Sequence, residues 1–217
     1  MNDDTAIDQT SSQVELARSL RNHVLSEFGL RRDGRSIIGI GGESGSGKSV
    51  TAKCLAAELT SVGMPATVIH QDDYFHRPPR ANHEYRCRDL GSVGPQEVDL
   101  DLLASHVLAF RAGRSDVTAP LVDYASDSFL TQQRDFRETA VLIIEGTYVL
   151  PLKDMDVRIF LGATHEETRE RRRARNRDID APIVDSVLRI EHTVISPQMQ
   201  LADIVIDRDF AFTPIAR

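Results

Sequence analysis

Apolar residues recur along the chain with two different spacings, and the two kinds of run take turns. Val14, Ala17, Leu20, Val24 and Phe28 fall at three- and four-residue steps ahead of Gly29, the pattern of an amphipathic helix with glycine at its C-cap. Short apolar runs follow at Ile37–Ile40, Thr67–His70, Val141–Glu145, Val157–Leu161 and Ile204–Ile206. They do not alternate with polar positions, as expected of strands covered on both faces of a parallel sheet. Helical patterns lie between them at about Lys48–Thr60, Val98–Arg111, Glu166–Arg175 and Ile183–Ile195. Thr164 and Glu167 have the Thr-x-x-Glu spacing of a capping box, which sets the start of a helix over 165–176. Strands alternating with helices predict a doubly wound α/β fold.

Two stretches depart from this rhythm. Residues 1–10 are polar, with Asp3, Asp4 and Asp8, and read as a disordered tail, leaving 11–217 as a single domain. The stretch from Tyr74 to Pro95 is rich in Arg, His, Pro and Asn and reads as a long functional loop.

Composition narrows the function. The 217 residues, 41% of them hydrophobic, suffice for one core, and the formal charge of −7 argues against a nucleic-acid or anionic-lipid partner. No apolar run of about 18 residues and no basic-then-apolar N-terminus predict a membrane span or signal peptide, so a cytoplasmic protein is expected. Cys54 and Cys87 are too few for a disulfide framework, and His76, His83 and Cys87 lack a fourth metal ligand and read as loop composition.

The strongest chemical signal is Gly42-Glu-Ser44-Gly45-Ser46-Gly47-Lys48-Ser49-Val50, a G-x-x-x-x-G-K-S phosphate loop between an apolar strand and a helix. Glycines free of Cβ constraint let backbone N–H groups curl around an anion, and the helix N-terminus adds partial positive charge. In this motif Lys48 reaches the β- and γ-phosphates of a nucleoside triphosphate, and the Ser49 hydroxyl ligates Mg²⁺. A GTPase would read guanine with Asn-Lys-x-Asp, but no asparagine here precedes lysine.

Two further strand ends carry carboxylates to the sheet edge where ligands bind in open α/β folds. Asp72 and Asp73 follow the second strand, and Asp72 is the candidate base for an attacking hydroxyl. Glu145 ends another strand and is placed to hold Mg²⁺ directly or through water. From Thr168 to Asp178 the chain carries six arginines, among which Arg169, Arg172 and Arg173 share a helical face by spacing and form a candidate lid over the triphosphate. These features favour a kinase that transfers phosphate from ATP to a small molecule. The alternative is a partner-regulated P-loop ATPase without such an acceptor.

The phosphate loop, Gln71-Asp-Asp-Tyr-Phe75, Glu145-Gly-Thr-Tyr148, Thr168-Arg-Glu-Arg-Arg-Arg173 and Ala202-Asp-Ile-Val-Ile206, in that order, resemble the uridine kinase/phosphoribulokinase superfamily over about Ile37 to Asp207. The resemblance implies a three-layer P-loop fold with a five-stranded parallel sheet flanked by helices, ATP with Mg²⁺, a base at Asp72, Mg²⁺ near Ser49 and Glu145, and lid arginines at Arg169, Arg172 and Arg177. It also implies a hydroxyl acceptor, most readily a nucleoside or riboside, and allows a homo-oligomer. The acceptor side departs from the family. Where uridine kinases carry Pro-x-Tyr-Asp-Phe this chain has Pro120-Leu-Val-Asp-Tyr124, without the pyrimidine-reading His and Arg beyond it. Tyr74, Phe75, Arg86, Arg88, Asp89 and Asp123 are the candidate lining of the acceptor pocket.

Overall fold

The computed structural model describes residues 4–170, 172 and 182–215. Its helices are α1 (Asp4–Glu27), α2 (Lys48–Ser61), α3 (Pro79–Arg88), α4 (Leu100–Arg111) and α5 (Pro182–Ile195). The strands are β1 (Ser36–Gly42), β2 (Ala66–His70), β3 (Val117–Asp123), β4 (Ser128–Arg134), β5 (Val141–Glu145), β6 (Val157–Leu161), β7 (Ile204–Ile206) and β8 (Phe212–Pro214). Six of these form one sheet in the order β2-β5-β1-β6-β7-β8. The pairings from β2 to β7 are all parallel, and β8 adds antiparallel to β7 at the edge.

The unbroken apolar runs follow from this arrangement, because each face of the sheet feeds its own core. Ile38, Ile40, Val141 and Ile143 pack with Leu16, Leu20 and Val24 of α1 and Leu55 and Leu59 of α2. Their neighbours Ile37, Leu142 and Ile144 point the other way, against Leu103, Val107 and Phe110 of α4 and Phe136. Fully burying a side chain of this size is worth roughly 1.5–3 kcal/mol, so alternate residues of one strand hold both helix layers.

The structure differs from the sequence expectation in four places. α1 begins at Asp4, so residues 4–10, expected within a disordered tail, continue the helix whose apolar pattern starts only at Val14. The stretch Tyr74–Pro95 contains helix α3 rather than only loop, with Pro79 in its first turn. Its inward residues, Asn82 and Arg86, are polar, so no apolar period announces it. The third difference is the antiparallel hairpin β3–β4, which pairs Val117 with Arg134 through Asp123 with Ser128 and stands apart from the main sheet. Pro120 lies within it, a residue confined to edge strands. Strand β8 is the fourth.

Candidate active site

Parallel register brings three chain segments to one edge of the sheet. Glu145 is level with Ile40 of β1 and with His70 of β2. The phosphate loop leaves β1 beside them, and the turn Gln71–Tyr74 leaves β2.

Positive φ angles at Gly42, Gly45 and Gly47, of 143°, 80° and 105°, give the loop its curl, and Gly47 caps α2. A Cβ on Gly45 would lie 2.8 Å from the Arg172 side chain, so the loop and the arginine-bearing segment are in close contact there. Lys48 Nζ donates to the Glu43 carbonyl at 2.9 Å. The Ser49 hydroxyl donates to Glu145 Oε1 at 3.0 Å, and His70 Nδ1 meets the same oxygen at 2.6 Å. Burial works to raise the Glu145 carboxyl, but the His70 hydrogen bond, the Lys48 charge and the Ser49 bond outweigh it and hold the group below its ordinary range. The same bond raises His70.

The turn after β2 sends its side chains in different directions. Gln71 is buried, accepting from the Tyr148 N–H at 2.7 Å and donating to Thr147 Oγ1 at 3.2 Å. It lies so close to β5's end that a Cβ on Gly146 would fall 2.4 Å from Gln71 Cβ, which makes glycine obligatory there. Asp72 faces solvent. The bulk of protein around it, and then Glu145, raise its carboxyl above the usual range, while Lys48 pulls the other way. The residue as a whole is exposed at the surface, while its carboxyl end lies among protein atoms. Asp73 is buried and accepts the Val122 N–H at 2.9 Å, which ties hairpin β3–β4 to the sheet edge.

Several residues expected in an acceptor pocket are committed elsewhere. Tyr74 is 2% exposed, belongs to the core and shares a 2.7 Å hydrogen bond with His106 Nδ1, so it is not a pocket residue. Phe75 is half-buried against the same core. Arg86 is engaged by Glu97 at 2.6 and 2.7 Å and by Glu191 at 2.9 Å, an ion-paired link between α3 and α5. Arg88 is exposed beside Glu84, and Asp89 caps a short turn by accepting from Gly91 N. Asp123 is held in the hairpin turn by Ser126 and the Ala125 N–H.

The arginine-rich segment begins as expected. Thr164 N donates to Glu167 Oε2 at 2.9 Å and Glu167 N donates back to Thr164 Oγ1 at 3.4 Å, a complete capping box. Arg169 is exposed, whereas Arg172 is 7% exposed and bonds the His165 carbonyl and Thr168 Oγ1. The two therefore do not share one solvent face. Arg171, Arg173, Arg175 and Arg177 lie outside the residues whose side chains are described.

Sequence reasoning missed His70, Gln71 and a group around the phosphate loop. Glu43, the residue after Gly42, accepts from His165 N at 2.7 Å and meets His165 Nδ1 at 2.9 Å and His192 Nδ1 at 2.6 Å. Spacings of 122 and 149 residues leave no local signal for these contacts.

The model of the phosphoribulokinase / uridine kinase family matches residues 37–211, and the chain belongs to that family. It is 30% identical over 191 residues to the bifunctional alpha-galactosidase/sucrose kinase AgaSK of Mediterraneibacter gnavus, covering 82% of this chain but only 20% of that protein. It is also 30% identical over 183 residues to a uridine kinase of Listeria monocytogenes serotype 4b, covering 78% of this chain and 85% of the relative. Among solved structures, a kinase of Silicibacter sp. TM1040 superposes with a TM-score of 0.62 at 24% identity over 86% of this chain and 94% of the other. Phosphoribulokinase from Rhodobacter spheroides superposes at 0.60 with 18% identity over 80% and 70%. The protein is thus a P-loop kinase of uridine kinase-like type, and its family implies use of ATP. Among the described residues, no helix is long and apolar enough to cross a membrane.

Proposed function

We propose that the protein transfers the γ-phosphoryl group of ATP to a hydroxyl of a sugar moiety, either a free sugar or the ribose of a nucleoside. The observation that carries this reading is the division of labour between adjacent carboxylates. Asp73 is spent on the Val122 N–H, whereas Asp72 faces solvent within reach of the charges of Lys48 and Glu145.

The residues at the sheet edge fit Mg²⁺ with ATP, because Ser49 and Glu145 present adjoining oxygens directly beside the phosphate loop. Mg²⁺ bound there supplies charge neutralisation on phosphate oxygens. The loop N–H groups and Lys48 hold the phosphates in line with the acceptor. Asp72 accepts the acceptor hydroxyl's proton as that oxygen bonds to the γ-phosphorus and the bond to ADP breaks. Arg172, lying against Gly45, and Arg169 and Arg177 on the same segment are the cations proposed to neutralise charge on the transferred group.

The sugar reading is supported by the two relatives, one carrying a sucrose kinase and the other a uridine kinase, whose acceptors share sugar hydroxyls. Pyrimidine recognition is less supported, since Val122 stands where uridine kinases carry an aromatic and its N–H serves Asp73. ATP consumption across neutral sugars, nucleosides, vitamin alcohols and sugar phosphates tests the reading. Stimulation by a sugar or nucleoside supports it, and stimulation confined to acceptors without a sugar moiety contradicts it.

A further inference from the structure

The imidazoles of His165 and His192 converge on the Glu43 carboxylate from two elements remote in sequence. Their candidate ligand atoms and the carboxylate oxygen all lie within 4.8 Å of one another. His165 Nδ1 meets Oε2 at 2.9 Å and His192 Nδ1 meets Oε1 at 2.6 Å, with the two rings 5.5 Å apart. The side chains of Glu43 and His165 are only 6% and 11% exposed, while that of His192 is 40% exposed and leaves one side open to solvent.

We propose that Glu43, His165 and His192 form a binding site for a divalent transition-metal ion, best suited to Zn²⁺, separate from the Mg²⁺ that accompanies ATP. Two imidazole nitrogens and one carboxylate are a three-ligand zinc set with a fourth position left for water. Mg²⁺ prefers oxygen ligands in octahedral array and does not compete well for such a set. The carboxylate is also pre-oriented. The His165 backbone N–H donates to Oε2 at 2.7 Å, the kind of outer hydrogen bond that fixes a metal-binding carboxylate. Binding replaces the two ring contacts to Glu43 by three ligand bonds, each ring carrying its proton on Nε2.

The location gives the ion a structural consequence. Glu43 belongs to the phosphate loop, His165 lies just before the arginine-rich stretch, and His192 lies on α5 beyond it. One ion therefore staples both roots of that stretch to the loop that holds phosphate.

The test is titration of tag-free, full-length protein with Co²⁺ in excess Mg²⁺ and without ATP, followed by visible absorption and then by Zn²⁺ displacement. The expected result is one Co²⁺ per chain with a visible d–d band, displaced by one Zn²⁺. His192→Gln, which keeps a hydrogen-bond donor for Glu43, and His165→Ala each weaken uptake by at least about 10-fold. His83→Ala, which removes the exposed His83–Cys87 pair on α3, leaves uptake unchanged. Uptake well below one equivalent, uptake insensitive to both Glu43 partners, or uptake abolished by His83→Ala overturns the proposal. Circular dichroism of each variant confirms that the comparison is between folded proteins.

Discussion

His70 Nδ1 and Glu145 Oε1 meet at 2.6 Å across the β2–β5 register, and the Ser49 hydroxyl donates to that same oxygen. One carboxylate atom thus joins the carboxyl ends of two strands to the first turn of the phosphate-loop helix. Burial works against the charge of that carboxylate, and the His70 bond, the Lys48 charge and the Ser49 bond together hold its carboxyl below the ordinary range.

Glu145→Gln keeps the shape of this junction but removes its charge. Mg²⁺ titrations of ATP turnover are expected to show a higher Mg²⁺ requirement and turnover lowered roughly 10–100-fold. An unchanged Mg²⁺ dependence removes Glu145 from the metal role.

Asp72→Asn and Asp73→Ala are expected to fail differently. Asp72→Asn lowers kcat by about 10²–10⁴-fold while melting temperature and ATP binding hold. Asp73→Ala leaves the Val122 N–H without its partner and costs about 1–3 kcal/mol in urea unfolding. Equal kinetic and stability losses in the two variants contradict this division.

Tyr74→Phe tests the assignment of that residue to the core. It removes the hydroxyl bonded to His106 and costs about 1 kcal/mol of stability, with KM for the acceptor unchanged.

His106 also sets a pH dependence. Burial, aided by the Arg134 charge, lowers its pKa, so the unfolded chain takes up a proton near the ordinary value of about 6.5 while the folded protein does not. Its contribution is fully present above that pH and is lost as pH falls toward the lowered folded value. Denaturation at several pH values should show this slope, and His106→Asn should flatten it.

Arg86→Ala tests the link between α3 and α5. It leaves Glu97 and Glu191, both largely buried, without their shared cation, and a loss of about 3–5 kcal/mol is expected in urea unfolding. A loss within error of zero, with KM for the acceptor sharply raised, returns Arg86 to the acceptor pocket.

What the sequence disclosed follows from the range of the interactions involved. The phosphate loop, the Thr164–Glu167 capping box and the buried strands are written in contiguous residues, and the structure contains each of them. Helix α3 was hidden because Asn82 and Arg86 on its inner face satisfy themselves against Glu97 instead of burying apolar surface. Tyr74 was misplaced because a tight turn points neighbouring residues in opposite directions, Asp72 outward and Asp73 and Tyr74 inward, which composition cannot resolve. Glu43, His165 and His192 meet only once β1, β6 and α5 are assembled.

The measurement that tests the central claim most directly is the fate of label from γ-³²P ATP, incubated with Mg²⁺ and a panel of neutral sugars and nucleosides. The account predicts that one acceptor draws the label into an organic phosphate ester, with little released as inorganic phosphate, and that Asp72→Asn slows the transfer by about 10²–10⁴-fold. Label that passes only to inorganic phosphate, at a rate no acceptor changes, contradicts it and marks a partner-regulated ATPase instead.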